Sequence, residues 1–319
     1  MKNRLWYRLG VKTIVFIVCV IAVDFIIGKF FDVLGDRIYD KDPKATPSDY
    51  MVKNMESDVV VLGASIASRH YIPSMIEDSL LLSAYNCGFD GTPFVVQNSL
   101  LNLMLDRYKP KVIVWEIGEV SMETEKDIKH IAYLYPYYDK NKQARAIVDG
   151  TDRFQRFRML SKTYRHNSEV LNELKTLLGP APRESQLSLK GYMPLDTTGY
   201  IFPTKIHKKF ANTLDTNKVV LLESTIIRCK ESNVPIVFSS SPRYIENYDE
   251  IKASHSYRAL IDVANKYDVP FLDFYELYSN DSTLFKDNAH MNDKGARKYM
   301  GVFIPALKKE LEFVECLSN

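Results

Sequence analysis

In VVVLGASIASRHYIP, residues 59–73, four apolar residues run into Gly63, Ala64 and Ser65 before the sequence turns polar. A serine at the tip of a buried strand is either the N-cap of the following helix, a common use of the residue, or a nucleophile. The second role needs a base within hydrogen-bond reach and a carboxylate to orient that base. LFKDNAHMNDKGARKYM, near the C-terminus, offers both: Asp287 and His290 stand three apart just before a helix expected from about Asn292. A second Asp-x-x-His, Asp127 and His130, lies in the charged segment EKDIKH and reads as a solvated helix face. The chemistry that Ser65, His290 and Asp287 would perform is attack on an acyl carbonyl, with backbone N–H groups holding the oxyanion.

YNCGFDGTPF lies between these ends. Asn86, Gly88 and Gly91 close an expected second strand. A glycine at 88 lets the backbone approach a bound acyl group and offer its N–H as an oxyanion donor beside that of Ser65. The alternative is a plain strand-to-helix turn. Arg69 and His70 follow Ser65 by about one helical turn, and Arg243 follows SSSP. Arginine at a sheet's carboxyl edge suits a phosphate or uronate; the alternative is ordinary surface ion pairing.

These residues need a frame that brings distant segments to one edge. DVVVLG, SAYNCG, KVIVWEIG, VPIVFSSSP and VPFLDFY are apolar at consecutive positions, which suits parallel strands buried on both faces. Between them, segments such as TPFVVQNSLLNLMLDRY and SYRALIDVANKY repeat apolar residues every three or four positions, the helical period. The expected fold is α/β, a doubly wound three-layer sandwich of about five parallel strands, whose loops converge at the strands' carboxyl ends. Residues 121–216 break the alternation and are too long for a connection, so they read as a helical and loop insertion after the third strand, beside or over the carboxyl edge. Its Tyr133, Tyr135, Tyr137 and Tyr138 either line a groove or pack the insertion.

The N-terminus sets the domain plan. Lys2, Arg4, Arg8 and Lys12 precede TIVFIVCVIAVDFIIG, which carries a single charge, Asp24. Counted through Leu34, this is long enough to span roughly 30 Å of hydrocarbon if Asp24 and Lys29 snorkel to the outer interface. The preceding cations favour a cytoplasmic N-terminus and an extracytoplasmic, periplasmic-side domain on a single-pass inner-membrane anchor. A cleaved signal peptide is the rival, without a convincing small-x-small site after the apolar run. Residues 1–34 therefore read as tip and anchor, 35–57 as a polar stalk, and 58–319 as the α/β domain. A net charge of +2 without a basic block beyond the N-terminus argues against nucleic acid as a partner. Cys87, Cys229 and Cys316 are unpatterned, so neither a disulfide framework nor a zinc site is expected.

In order and spacing these blocks resemble the SGNH/GDSL hydrolase superfamily. VVLGAS matches its first block, YNCGFDG its second and DNAHMNDKGARKY its last, over residues 58–118 and 217–313. The resemblance implies Ser65 as nucleophile, Gly88 as oxyanion donor, and Asp287 and His290 completing the triad, without a metal or organic cofactor. A single N-terminal span before such a domain is similar to membrane-anchored members linked to envelope acyl transfer, among them the D-alanyl-transfer protein DltD and the alginate O-acetylation proteins. Two departures stand out. Ala64 replaces the Asp of Gly-Asp-Ser, and WEIGEVSM has Gly118 but lacks the third-block Asn that supplies a donor. Removing such a donor costs roughly 3 to 4 kcal/mol; Glu116 or Glu119 could replace it only if burial kept one protonated.

The expected function is a membrane-anchored serine esterase or O-acyltransferase acting on an envelope or exported glycan, with a possible membrane acyltransferase partner. The competing class is a non-catalytic assembly or glycan-binding protein that keeps the fold. A flavodoxin-like nucleotide binder is disfavoured, because no glycine-rich phosphate cradle follows the first strand.

Overall fold

The computed structural model describes residues 2–41, 47–124, 131–166, 178–179, 189–196 and 201–318. Five strands, β1 (Val59–Leu62), β2 (Ala84–Asn86), β3 (Val112–Glu116), β4 (Ile236–Ser240) and β5 (Phe271–Asp273), form one parallel sheet in the order β2-β1-β3-β4-β5. They are the five consecutive apolar runs of the sequence. Every residue of β1, β3 and β4 is buried, because helices cover both faces. In this order the winding changes direction between β1 and β3, where the loops leaving neighbouring strands part and leave a crevice.

In chain order the helices are α1 (Lys2–Lys41), α2 (Pro47–Lys53), α3 (Ser65–His70), α4 (Pro73–Leu80), α5 (Phe94–Arg107), α6 (Glu119–Met122), α7 (Lys142–Asp149), α8 (Gln155–Arg158), α9 (Thr216–Glu231), α10 (Tyr248–Lys252), α11 (His255–Lys266) and α12 (Asp293–Ser318). On one face of the sheet, α4, α12 and the residue after α3 bring Ile76, Tyr299, Phe303 and Tyr71 onto Val59, Val61 and Val114. On the other, Phe94 of α5 stacks on Trp115 of β3 with ring centroids 5.4 Å apart. Trp115 Nε1 donates to Gln97 Oε1 at 2.9 Å, so the buried indole keeps a polar partner.

The chain divides into two compact units, Met1–Thr46 with Ile131–Pro182, and Pro47–His130 with Arg183–Asn319. Two expected boundaries fall within this division. Of the stretch 35–57, expected as a polar stalk, the part to Lys41 is helix α1, and residues from Pro47 onward belong to the sheet unit. There Met51 and Met55 are buried, and Arg107 of α5 donates to the carbonyls of Val52 and Met55 at 2.9 and 2.5 Å. The insertion 121–216 is likewise not one body. Its 131–166 part belongs with α1, while Tyr192, Lys208 and Asp215 are held in the sheet unit through Asp293, Glu119 and Met122. Tyr137 and Tyr138 are buried in the first unit, Tyr135 stacks on Tyr164, and Tyr138 lies beneath the guanidinium groups of Arg145 and Arg165. Tyr135, Tyr137 and Tyr138 therefore pack the insertion, the commoner use of such side chains. Asp127 and His130 lie outside the described residues.

Candidate active site

β1 hands the chain to Gly63, whose φ of +150° favours glycine and where a Cβ would stand 2.6 Å from Ala67 Cβ. The chain turns there, and α3 opens at Ser65. Ser65 Oγ lies 2.8 Å from His290 Nε2, and His290 Nδ1 lies 2.9 and 3.1 Å from the two Asp287 carboxylate oxygens. Burial alone would raise the Asp287 carboxyl. The hydrogen bond from His290 and the backbone N–H groups of Ala289 and His290, both at 2.8 Å, instead bring it down to about 2. An ionised Asp287 only accepts, so His290 carries its proton on Nδ1 and leaves Nε2 free to accept from Ser65. Three side chains from the two ends of the sheet unit thus meet in the order a serine nucleophile requires.

His70, the last residue of α3, is fully buried and supports this meeting from behind. Its Nε2 accepts the Met291 N–H at 2.8 Å, so its proton must sit on Nδ1, which donates to Ser241 Oγ at 2.8 Å. Burial, then the positive field of Arg243 and its neighbours, holds the imidazole well below the ordinary histidine value, hence neutral. Sequence reasoning placed His70 only by its proximity to Ser65; its partners come from segments remote in sequence.

The second-block residues are placed differently from the expectation. Asn86 Nδ2 donates to the carbonyls of Ala67 and Tyr71 at 2.7 and 2.8 Å, and Asn86 Oδ1 accepts the Gly88 N–H at 2.9 Å. Asn86 therefore clamps α3 to β2, and the Gly88 N–H is turned to Asn86 rather than offered to an oxyanion. What requires glycine at 88 is close approach: a Cβ there would stand 2.6 Å from both Ala67 Cβ and the Ser68 nitrogen. Gly91, with φ of +68°, lies in the wall of a cleft of about 400 Å³. Ala64 and Ile66, which flank Ser65, share that wall with Thr92, Gly118, Val120 and Ser121.

Two ion pairs face the same cleft. Arg243 donates to Glu116 Oε1 at 2.8 Å with both side chains about 95% buried, and its guanidinium also bonds the Ser241 carbonyl at 2.6 Å. Glu116 further accepts from Tyr71 Oη at 2.5 Å and from the Ser241 N–H at 3.1 Å. Burial would raise the Glu119 carboxyl, but the Lys208 ammonium bonded to it outweighs burial and keeps it below its ordinary value. Glu119 is therefore not the protonated donor considered for the missing Asn, and Glu116 is taken up in accepting from Arg243, Tyr71 and the Ser241 N–H. Arg243 is correspondingly not free for a phosphate or uronate, and Arg69 pairs with Asp90 at 2.8 Å, the ordinary ion-pair alternative. An acid ending the buried run VIVWE was the available sequence signal, since a buried charge demands a partner. Among the described residues, no cluster of three or more His, Cys, Asp or Glu side chains is placed to hold a metal ion. Cys87 and Cys229 are free and buried.

No family model and no curated protein matches the chain. Solved structures do resemble it at low identity. A psychrotrophic esterase EstA from Pseudoalteromonas sp. is 11% identical, with 80% of this chain and 98% of that one covered at a TM-score of 0.41. The SGNH-hydrolase family esterase AlinE4 is 12% identical, with 81% and 98% covered at 0.36. A GDSL-like lipase from Bacteroides thetaiotaomicron is 9% identical, with 87% and 99% covered at 0.38.

Proposed function

We propose that this chain is a membrane-anchored serine esterase or O-acyltransferase acting on an acylated cell-envelope or exported glycan. One observation carries the reaction type: the continuous chain from Ser65 Oγ through the His290 ring to Asp287, at 2.8 and 2.9 Å. His290 Nε2 takes the Ser65 proton as Oγ attacks the acyl carbonyl, and Asp287 stabilises the imidazolium that forms. The Ser65 N–H, the first of α3, has no acceptor within its own helix and supports the oxyanion. Collapse of the tetrahedral intermediate breaks the ester C–O bond, and His290 returns its proton to the departing alcohol. Water or a sugar hydroxyl then attacks the acyl-Ser65 carbonyl, giving its proton to His290, and Ser65 leaves by the same route. No step calls on a metal or organic cofactor.

The anchor is supported by Trp6–Leu34, an apolar helix segment long enough to cross a bilayer, and by the four cations ahead of the hydrophobic run, which favour a cytoplasmic N-terminus. Glycan as the acyl carrier and a membrane acyltransferase as partner rest on the resemblance in domain order. A second reading, a non-catalytic glycan-binding or assembly protein, is favoured by the Gly88 N–H donating to Asn86 and by the ion-paired Glu116 and Glu119, which leave fewer oxyanion donors. A fluorophosphonate probe separates the two. Labelling of the folded protein that vanishes in Ser65→Ala supports the enzyme, whereas folded protein that resists labelling favours the binding reading.

A further inference from the structure

The unit formed by α1 and residues 131–166 carries a surface that the acyl-transfer chemistry does not use. Asp24, the one acid inside the apolar run of α1, is fully engaged by the turn at 161–163. Its carboxylate accepts from Ser161 Oγ at 2.6 Å, from the Lys162 N–H at 2.7 Å and from the Thr163 N–H at 3.2 Å, while Thr163 Oγ1 donates to the Asp24 carbonyl at 3.2 Å. Below this tie the contact continues: Lys162 packs on Gly28, where a Cβ would stand 2.4 Å away, and His166 Nε2 lies 3.1 Å from Asp32. Along this same length of α1, Phe25, Ile26, Phe30 and Val33 remain half exposed or more. An insertion thus embraces one side of the helix at a level where the other side is still apolar.

Immediately before the turn, the chain around α8 shows its own apolar stripe. Gln155 and Met159 point into the unit, whereas Phe154, Phe157 and Leu160, three positions apart, are 52%, 68% and 76% exposed. Arg153, Arg156 and Arg158 interleave with them and are also exposed. Large apolar side chains in series on a soluble surface cost free energy in water. Beside an anchor they have a natural solvent. From Trp6 to Val23, eighteen positions at about 1.5 Å each cover about 27 Å, close to the thickness of the hydrocarbon core, so Asp24 falls near its outer boundary. Leu160 is one residue from the group that caps Asp24.

We propose that the segment Arg153–Leu160 is an interfacial membrane element. Phe154, Phe157 and Leu160 enter the leaflet on the domain's side next to α1, while Arg153 and Arg156 reach anionic lipid headgroups and Arg158 stays paired with Asp152 at 2.8 Å. The proposal rests on α1 being an uncleaved anchor. The cap on Asp24 then has a second use, since the hydrogen bonds that hold the segment against α1 also remove a carboxylate from contact with lipid.

The test is spin-label accessibility on the full chain in nanodiscs of phosphatidylcholine and phosphatidylglycerol. Cys19 and Cys316 are first replaced by Ser; Cys87 and Cys229 are buried. Labels are placed singly at Phe157→Cys, Leu160→Cys and, as a reference within the span, Val15→Cys. The expected result is that all three labels collide several-fold more with oxygen than with a water-soluble nickel chelate. A lipid-exposed label at 15 with water-exposed labels at 157 and 160 overturns the proposal and leaves the anchor standing. A water-exposed label at 15 removes the anchor reading and the proposal with it.

Discussion

The imidazole of His70 accepts the Met291 N–H at 2.8 Å and so joins the last residue of the helix that opens at Ser65 to the residue after His290. Cutting this bond leaves the buried Met291 N–H unpaired, at about 1–3 kcal/mol, and releases the loop that aims His290. For His70→Leu we expect a stability loss of that order. A fall of about 10²-fold in kcat with KM little changed should accompany it, as for a misplaced base. Denaturant melts and steady-state kinetics on an ester substrate check both.

The same histidine sets an acid-side stability limit. Its folded value lies well below the ordinary 6.5, so below that pH the unfolded chain binds a proton that the native state refuses. Stability is therefore complete above about 6.5 and declines as pH falls toward the folded value. The thermal midpoint of the wild type should fall over this window, and that component should be missing in His70→Leu. Parallel slopes in the two proteins would refute the assignment.

Asp287 acts in a lower window. Its carboxyl is brought from the ordinary 3.8 to about 2, so its contribution is present above 3.8 and is lost as pH falls toward 2. The stability difference between wild type and Asp287→Asn should shrink over that interval. At neutral pH the same substitution allows the wrong imidazole tautomer and should cost about 10⁴-fold in kcat, while leaving Ser65 present and the fold intact.

Glu116 and Arg243 should behave as a buried pair. Glu116→Leu or Arg243→Met leaves one charge stranded and should destabilise by about 3–5 kcal/mol, with the double variant recovering part of the loss. A double-mutant cycle on unfolding free energies measures the coupling. Additive losses would mean that the two side chains are not a unit.

Gly88→Ala separates close packing from oxyanion donation. The new methyl would press on Ala67 Cβ and the Ser68 nitrogen, displacing α3 at an expected cost of about 1–3 kcal/mol. Because the backbone N–H is retained, a slower fluorophosphonate reaction would trace to a shifted Ser65. Unchanged stability and labelling would show that α3 yields at no cost.

Much of this was legible in one dimension. The five strands announced themselves because burial on both faces makes apolar runs consecutive, and the Gly63–Ser65 turn followed from a buried strand ending in small residues. Asp287 and His290 were readable because their spacing lets one loop hold both. In the 35–57 stretch a polar composition hides Met51 and Met55, whose burial depends on α5 lying across them. Asn86 and Gly88 were ambiguous for a related reason: a strand-end Asn and Gly can face a ligand or a neighbouring helix, and only the fold shows Asn86 donating to the Ala67 and Tyr71 carbonyls while it accepts the Gly88 N–H.

By itself, the order of residues determined the layer architecture and the apolar N-terminal helix, and it put a serine at a strand tip and an Asp-x-x-His on one loop, since periodicity and local spacing are properties of a short window. Tertiary structure alone decided the rest: that Ser65 and His290, 225 positions apart, come within 2.8 Å, that Glu116 and Glu119 are spent on cations, and that Asp24 is capped by a turn from the insertion. Long-range partners of buried polar groups are set by which elements pack together, and no local pattern encodes that choice.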